Sequence, residues 1–91
     1  MLTADGFDDA LIGVLERAGS SSVALYDAAR CVELLVEQGY TYEEALEHFY
    51  FNVSGAYVGP DTPGFAWIGE ELLEERGIVR NRSGKWTALE G

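Results

Sequence analysis

The sequence is short of cysteine, of basic residues and of long apolar runs, and each shortage excludes a class of protein. Its 91 residues include one cysteine, Cys31, so no internal disulfide can form, whereas a secreted domain of this size usually carries several. No apolar run approaches the roughly 18 residues that span a membrane. The first residues show no basic segment followed by an apolar one. We therefore expect no signal peptide and a reducing compartment, most simply the cytoplasm.

Basic residues are outnumbered throughout most of the chain. Sixteen acidic residues against six basic ones give a net charge of −10. Residues 1–75 hold fifteen acidic residues against two arginines, a net of −13, and residues 76–91 hold four basic residues against one acidic residue, a net of +3. The electrostatic field of so negative a chain repels nucleic acid and anionic membranes within a Debye length of about 8–10 Å, and it attracts basic protein surfaces. Solubility alone is the other explanation of the charge.

The length and the apolar content predict a single domain over residues 1–91. Apolar residues make up 47% of the chain, an ordinary share for a globular protein. A chain this short has room for one small core, and no repeat or linker divides it.

Apolar spacing predicts the elements of the first half. The apolar residues of 7–18 recur at helical intervals, with Asp5 as a cap and Gly19 as the end, which predicts a first helix. Val23–Tyr26 is typical of a short buried strand. Asp27 is a suitable cap for a second helix that ends at Gly39.

The second half starts with the strongest local signal. Thr41-Tyr42-Glu43-Glu44 is a capping box that opens a third helix, which ends by Gly55. Thr62 and Pro63 are suited to open a fourth helix that buries Phe65 and runs to Gly77. Two short strands, residues 78–80 and 85–89, then flank a turn and predict a β-hairpin.

Together these elements predict an α+β fold, a small helical domain of about four helices with a short strand and a C-terminal β-hairpin. The strand and the hairpin have the composition to pair in one small sheet.

Catalytic chemistry has little support in the sequence. Glu44 and His48 share a helix face and would suit acid–base or metal chemistry, but no third metal ligand is marked, and a solvated i, i+4 pair explains them as well. Cys31 falls on the apolar side of its helix, with no neighbouring base to activate it. No glycine-rich loop has phosphate-binding spacing. We expect no enzyme, no metal and no cofactor.

The acidic faces of the predicted helices support a binding function more than the sequence supports catalysis. Glu43, Glu44 and Glu47 cluster on the outer side of the third helix, although like charges at i, i+4 cost a few tenths of a kcal/mol each. Carboxylates spaced over a rigid surface can stand in for phosphates. Asp8 and Asp9 extend the candidate surface at the start of the first predicted helix.

Phe51 is the aromatic residue that does not fit the buried stripe of the third helix. It lies about one turn beyond Glu47, on the polar side. An exposed aromatic side chain beside acidic residues would be an interface anchor. The alternative, which we favour from the sequence, is that the hairpin or the loop after Gly55 covers it.

The C-terminal segment supports a competing hypothesis. A helix, a tight turn and a hairpin end many winged-helix proteins, and here Arg80, Arg82 and Lys85 would contact phosphates. The net charge of −10 and the lack of a basic recognition helix argue against DNA binding. A structural hairpin, with Trp86 packed on the core, is the simpler interpretation.

Seven short segments between residues 6 and 65 match a known family, and they are Phe7–Gly13, Tyr26-Asp27, Cys31–Leu35, Thr41–Ala45, Phe51–Val53, Gly55–Gly59 and Thr62-Pro63. On these segments the chain resembles a family of small uncharacterised acidic proteins that is associated with bacteriophages and bacteria. No activity and no functional residue come with this resemblance. What it implies is a phage or mobile-element setting, in which a protein directed at the host is expected.

The hypothesis that follows is a non-catalytic, cytoplasmic protein-binding module with an acidic surface. It would act as a phage-type inhibitor, a nucleic-acid mimic that binds the basic surface of a host nucleic-acid-handling or defence protein. The residues expected to bind the partner are Asp8, Asp9, Glu43, Glu44, Glu47 and Phe51. The alternative is a DNA-binding regulator that uses the hairpin. A homodimer would enlarge so small a core, but no heptad or apolar patch in the sequence specifies one.

Overall fold

The computed structural model of the chain describes residues 1–89. In chain order the elements are a 3₁₀ turn at Asp8–Ala10, β1 at Leu11–Leu15, β2 at Val23–Asp27, α1 at Ala28–Glu37, α2 at Tyr42–His48, a π-helical segment at Phe49–Ser54, β3 at Gly64–Ala66, α3 at Glu70–Glu75, β4 at Ile78–Arg80 and β5 at Trp86–Ala88. Over these residues the chain is a small α+β domain with three α-helices and two sheets. The prediction of about four helices with one short strand is therefore wrong.

The first predicted helix is a 3₁₀ turn followed by strand β1. This strand pairs antiparallel with β2, with Leu11 opposite Tyr26 and Leu15 opposite Val23. Gly13 lies in the middle of the segment, where it would cost a helix about 1 kcal/mol relative to alanine. The adjacent strand β2 offers the backbone an alternative set of hydrogen bonds, and the helical spacing of the apolar residues is overridden.

The prediction of a fourth helix that starts at Thr62 and Pro63 is also largely wrong. Residues Gly64–Ala66 form β3, which pairs parallel with β2, so that Phe65 lies opposite Tyr26. A side chain at Gly64 would place its Cβ atom 3.3 Å from the Leu15 side chain, which explains why glycine suits this strand. The helix itself begins only at Glu70.

The three-stranded sheet has the order β1-β2-β3, and helix α1 contacts β2 and β3. Tyr26 lies at its centre, fully buried, stacks on Phe65 and accepts a hydrogen bond at its hydroxyl from the Ala4 N–H at 2.8 Å. Helix α1 is capped as predicted, because the Asp27 carboxylate accepts from the Arg30 N–H. The buried residues that pack together, which we call the core cluster, are Phe7, Ala10, Ala24, Tyr26, Ala28, Cys31, Val32, Leu35, Ala45 and Phe49.

The predicted C-terminal hairpin is present as β4 and β5. It forms a separate two-stranded sheet and does not pair with β2. Together with α3 it makes up what we call the C-terminal unit, residues 70–89, in which no residue is buried. Trp86 is 39% exposed and lies outside the core cluster, so the expectation that it packs on the core is wrong.

The molecule is more extended than a typical monomer of its size. Its radius of gyration is 14.9 Å, against about 12 Å for a compact chain of this length. It exposes 6459 Å² of surface, against about 5,200 Å² for a monomer of this mass. Among residues 1–89 no helix is both long and apolar enough to cross a bilayer.

Candidate functional site

Helix α2 begins with the predicted capping box. The Thr41 hydroxyl accepts a hydrogen bond from the Glu44 N–H at 3.2 Å, and Glu44 Oε1 accepts one from the Thr41 N–H at 2.9 Å. The hydrogen bond from the Thr41 backbone, helped by its side chain, lowers the pKa of Glu44. Glu44 therefore stays ionised at neutral pH, but one of its carboxylate oxygens is engaged by the helix cap.

Glu43 and Glu47 complete the acidic face of α2. Both are exposed, while Ala45 between them points into the core. Across residues 1–89 the ion pairs join Arg30 to Glu33 and Glu37, and Arg80 to Glu70. None involves the acidic face of α2, so its carboxylates are not neutralised by the described part of the chain.

Phe51 lies next to this face and is exposed. Residues Phe49–Ser54 continue α2 as a wider π-helical turn, in which Phe49 is buried and packs edge-on against Phe65 and Trp67. Phe51 is 75% exposed. The expectation that the hairpin or the following loop covers it is wrong, because the hairpin packs on α3.

The end of the π-helical turn depends on Gly55. A Cβ atom at this position would lie 2.5 Å from the Tyr50 carbonyl oxygen. Only a residue without a side chain lets the backbone approach so closely. Gly55 thus holds the turn that presents Phe51. π-Helical turns often occur at functional sites.

A cleft of about 210 Å³ opens beside the π-helical turn. Phe7, Val53 and Phe65 form much of its apolar wall, and Asp5 and Asn52 add polar groups. The sequence carried no signal for it, because its walls come from the N-terminal segment, the π-helical turn, the loop at 56–63 and β3.

Asp8 and Asp9 belong to a different element from the acidic face of α2. They are exposed on the 3₁₀ turn that leads into β1, between the buried residues Phe7 and Ala10. The structure therefore divides the six predicted partner-binding residues into two groups, one on α2 and the π-helical turn and one at the start of β1.

The basic residues of the hairpin are partly engaged within the chain. Arg80 lies over the Trp86 ring at 4.5 Å from its centroid and pairs with Glu70 at 3.4 Å. Arg82 and Lys85 are exposed at the turn between β4 and β5. Of the three predicted phosphate contacts, Arg80 is the one whose charge is already matched by a carboxylate.

His48 and Cys31, the candidates for catalysis in the sequence, lie in separate surroundings. His48 packs against Tyr40 with ring centroids 5.2 Å apart, and its Nδ1 lies 3.4 Å from Asn52 Nδ2. Cys31 is buried, and burial, followed by the charge of Asp27, raises the pKa of its thiol to about 11. No group of three metal-ligating side chains is found within residues 1–89.

Comparison with known proteins finds no match for this chain among family models, curated proteins or solved structures.

Proposed function

We propose that the protein is a non-catalytic binding module that presents the acidic face of α2, with Phe51 as an apolar anchor, to a basic surface of a partner protein. The observation that carries the proposal is the pairing of an aromatic side chain that is 75% exposed with carboxylates that have no cationic partner in residues 1–89. Aromatic residues, phenylalanine included, are enriched in the buried centres of protein interfaces.

The partner that suits this surface is a nucleic-acid-binding protein. Such proteins carry basic grooves for phosphates, and the carboxylates of α2 would occupy a groove as phosphates do. The resemblance to phage-associated proteins favours a host nucleic-acid-handling or defence protein as the target, which the chain would inhibit. A buried, lone Cys31 suits a reducing compartment such as the cytoplasm.

The test is capture of partners by the tagged protein and by two charge-reversed variants with the same i, i+4 spacing. Glu43→Lys/Glu47→Lys should lose the partner, since it reverses the acidic face of α2. Glu71→Lys/Glu75→Lys is the control, because it changes the net charge equally on an exposed part of α3. Circular dichroism checks that both variants fold.

Competition then separates mimicry from ordinary charge attraction. Double-stranded DNA should displace the chain from its partner, and Phe51→Ala should weaken the complex at high salt as well as at low salt. Retention of the partner by Glu43→Lys/Glu47→Lys would contradict the proposal. Direct retardation of DNA by the free protein at low salt, lost on reversal of Arg82 and Lys85, would favour the hairpin as a DNA-binding element instead.

A further inference from the structure

Strand β1 forms one edge of the three-stranded sheet and has no strand partner on its outer side within residues 1–89. Its side chains are apolar and largely exposed: Leu11 is 47%, Ile12 48% and Val14 56% exposed. Soluble proteins usually protect such edges with lysine, proline or inward-pointing charge. β1 contains no lysine, no proline and no charged residue, and its one device of this kind is a bulge or register shift between Leu11 and Gly13.

The β1 side chains are exposed because of the way helix α1 packs on the sheet. Leu11 and Val14 lie opposite Tyr26 and Ala24, which are core residues, and so belong to the core face of the sheet. Helix α1 packs over β2 and β3. The apolar face of the sheet therefore extends beyond the helix that covers it, and ends at an open edge.

The exposed surface of the chain is large enough to include an interface with a second molecule. The chain exposes 6459 Å², which exceeds the expectation for a compact monomer of this mass by about 1,200 Å². A standard interface buries about 800 Å² on each partner. The excess, which the C-terminal unit shares, is larger than the area that one partner of a standard interface buries.

Charge favours a second copy of the same chain in an antiparallel arrangement. Arg17 follows β1, is exposed and has no ion-pair partner within residues 1–89. Asp8 and Asp9 precede β1. Antiparallel pairing of two β1 strands about their midpoints brings the strand end that precedes Arg17 in each copy next to the strand end that follows Asp8 and Asp9 in the other, whereas parallel pairing would bring the ends with the four aspartates together.

We propose that two copies of the chain associate through antiparallel pairing of their β1 strands, which joins the two three-stranded sheets into one six-stranded sheet. The pairing satisfies the free backbone groups of the edge and buries Leu11, Ile12 and Val14 from both copies. The arrangement is two-fold symmetric, so it closes at two copies. It leaves the acidic face of α2 outside the contact and is independent of the function proposed above.

Sedimentation equilibrium of the full chain tests the proposal, with a species of twice the 10.0 kDa chain mass as the expected result. Val14→Lys should raise the dimer dissociation constant about thirtyfold or more, since a buried anchor is replaced by a charge on the edge strand. Val58→Lys is the matched control: Val58 is 64% exposed but lies in the loop before β3, and the dimer should persist. Circular dichroism should show both variants folded.

A charge exchange tests the orientation of the two strands. Arg17→Glu and Asp9→Arg should each weaken the dimer about fivefold at low salt, and the double variant should recover the original dissociation constant. A monomer at millimolar concentration would overturn the proposal. So would a dimer that is unaffected by Val14→Lys, an open-ended assembly, or a double variant no tighter than the single ones.

Discussion

At the scale of single residues, the chemistry of this protein is set by what the fold buries and what it leaves in water. Cys31 fits the apolar stripe of α1, and the structure buries it completely. Phe51 is also apolar, yet it is 75% exposed, whereas Phe49 in the same π-helical turn is buried. The acidic face of α2 and the exposed Phe51 ring therefore lie on one continuous helical segment, α2 and the π-helical turn that follows it.

Cys31 provides a prediction at this scale. Burial raises its pKa to about 11 from the ordinary 9.0, so the folded state holds the neutral thiol in a range where the unfolded chain ionises. The stability that results is fully present below pH 9 and is lost as pH rises from 9 toward 11, by an amount on the order of 2 kcal/mol. Urea titrations at pH 8, 9 and 10 measure it.

The control for this prediction is Cys31→Ala. Its stability is lower overall because a buried side chain is truncated, but the loss between pH 9 and 10 should be smaller than in the parent chain. Native Cys31 should also react with an aromatic disulfide reagent only as fast as the protein unfolds. Rapid labelling of the folded protein at pH 8 would show the thiol to be accessible.

At the scale of elements, local capping signals decide where the helices α1 and α2 begin, and pairing with a distant strand decides which segments become strands. Asp27 and the Thr41 capping box start α1 and α2 where the sequence places them, since a cap needs only its neighbours within three residues. Strands β1 and β3 depend on hydrogen bonds to β2, which lies elsewhere in the chain. Their type is therefore decided by the partner strand and not by their own apolar spacing.

Thr41→Ala is the prediction at this scale. The substitution removes the side-chain acceptor for the Glu44 N–H and should lower the free energy of unfolding by about 1 kcal/mol. Chemical denaturation at pH 7 measures the loss. Thr87→Ala, in the exposed strand β5, is the matched control and should change stability little.

The pH dependence of the same variant gives a second check. The depressed pKa of Glu44 means that its contribution is present above its unfolded pKa and is lost as pH falls through its folded pKa. Thr41→Ala removes a cause of that depression and should flatten the acid side of the stability profile. The backbone N–H at position 41, the larger cause, remains in the variant, so an unchanged acid side would mean that the Thr41 side chain does not contribute to the lowered pKa of Glu44.

At the scale of the whole molecule, the chain divides into parts with unequal burial. The core cluster draws on the 3₁₀ turn, β2, α1, α2 and the π-helical turn, while residues 70–89 contain no buried residue. Arg76 connects the C-terminal unit to the rest through a hydrogen bond to the Tyr50 hydroxyl at 3.1 Å and a contact over the Trp67 ring. These exposed contacts are weak compared with burial of apolar side chains.

Native-state hydrogen exchange should reflect this division. Amides in β4 and β5 should exchange about a hundredfold faster, after correction for intrinsic rates, than amides of β2 and α1, because the hairpin opens without disrupting the core. Arg76→Ala should speed exchange in the C-terminal unit and leave β2 unchanged. Equal protection in both parts would show that they unfold as one cooperative unit.

The sequence by itself determined the composition-level properties and the locally encoded elements. The acidic charge, the lone cysteine, helix α1, the start of α2 and the C-terminal hairpin all follow from residues that interact with near neighbours. Caps, turns and amphipathic stripes act over a few residues, so they can be read without the fold.

Only the tertiary structure decided the sheet, the exposure of Phe51 and the grouping of the candidate site. Residues 7–15 have helical apolar spacing, yet Leu11–Leu15 is a strand because its backbone pairs with Val23–Tyr26. Phe65 packs against the core cluster from a three-residue strand, β3, that pairs with β2. Strand pairing and burial depend on contacts between segments distant in sequence, and their energies exceed the small differences in local propensity that sequence patterns record.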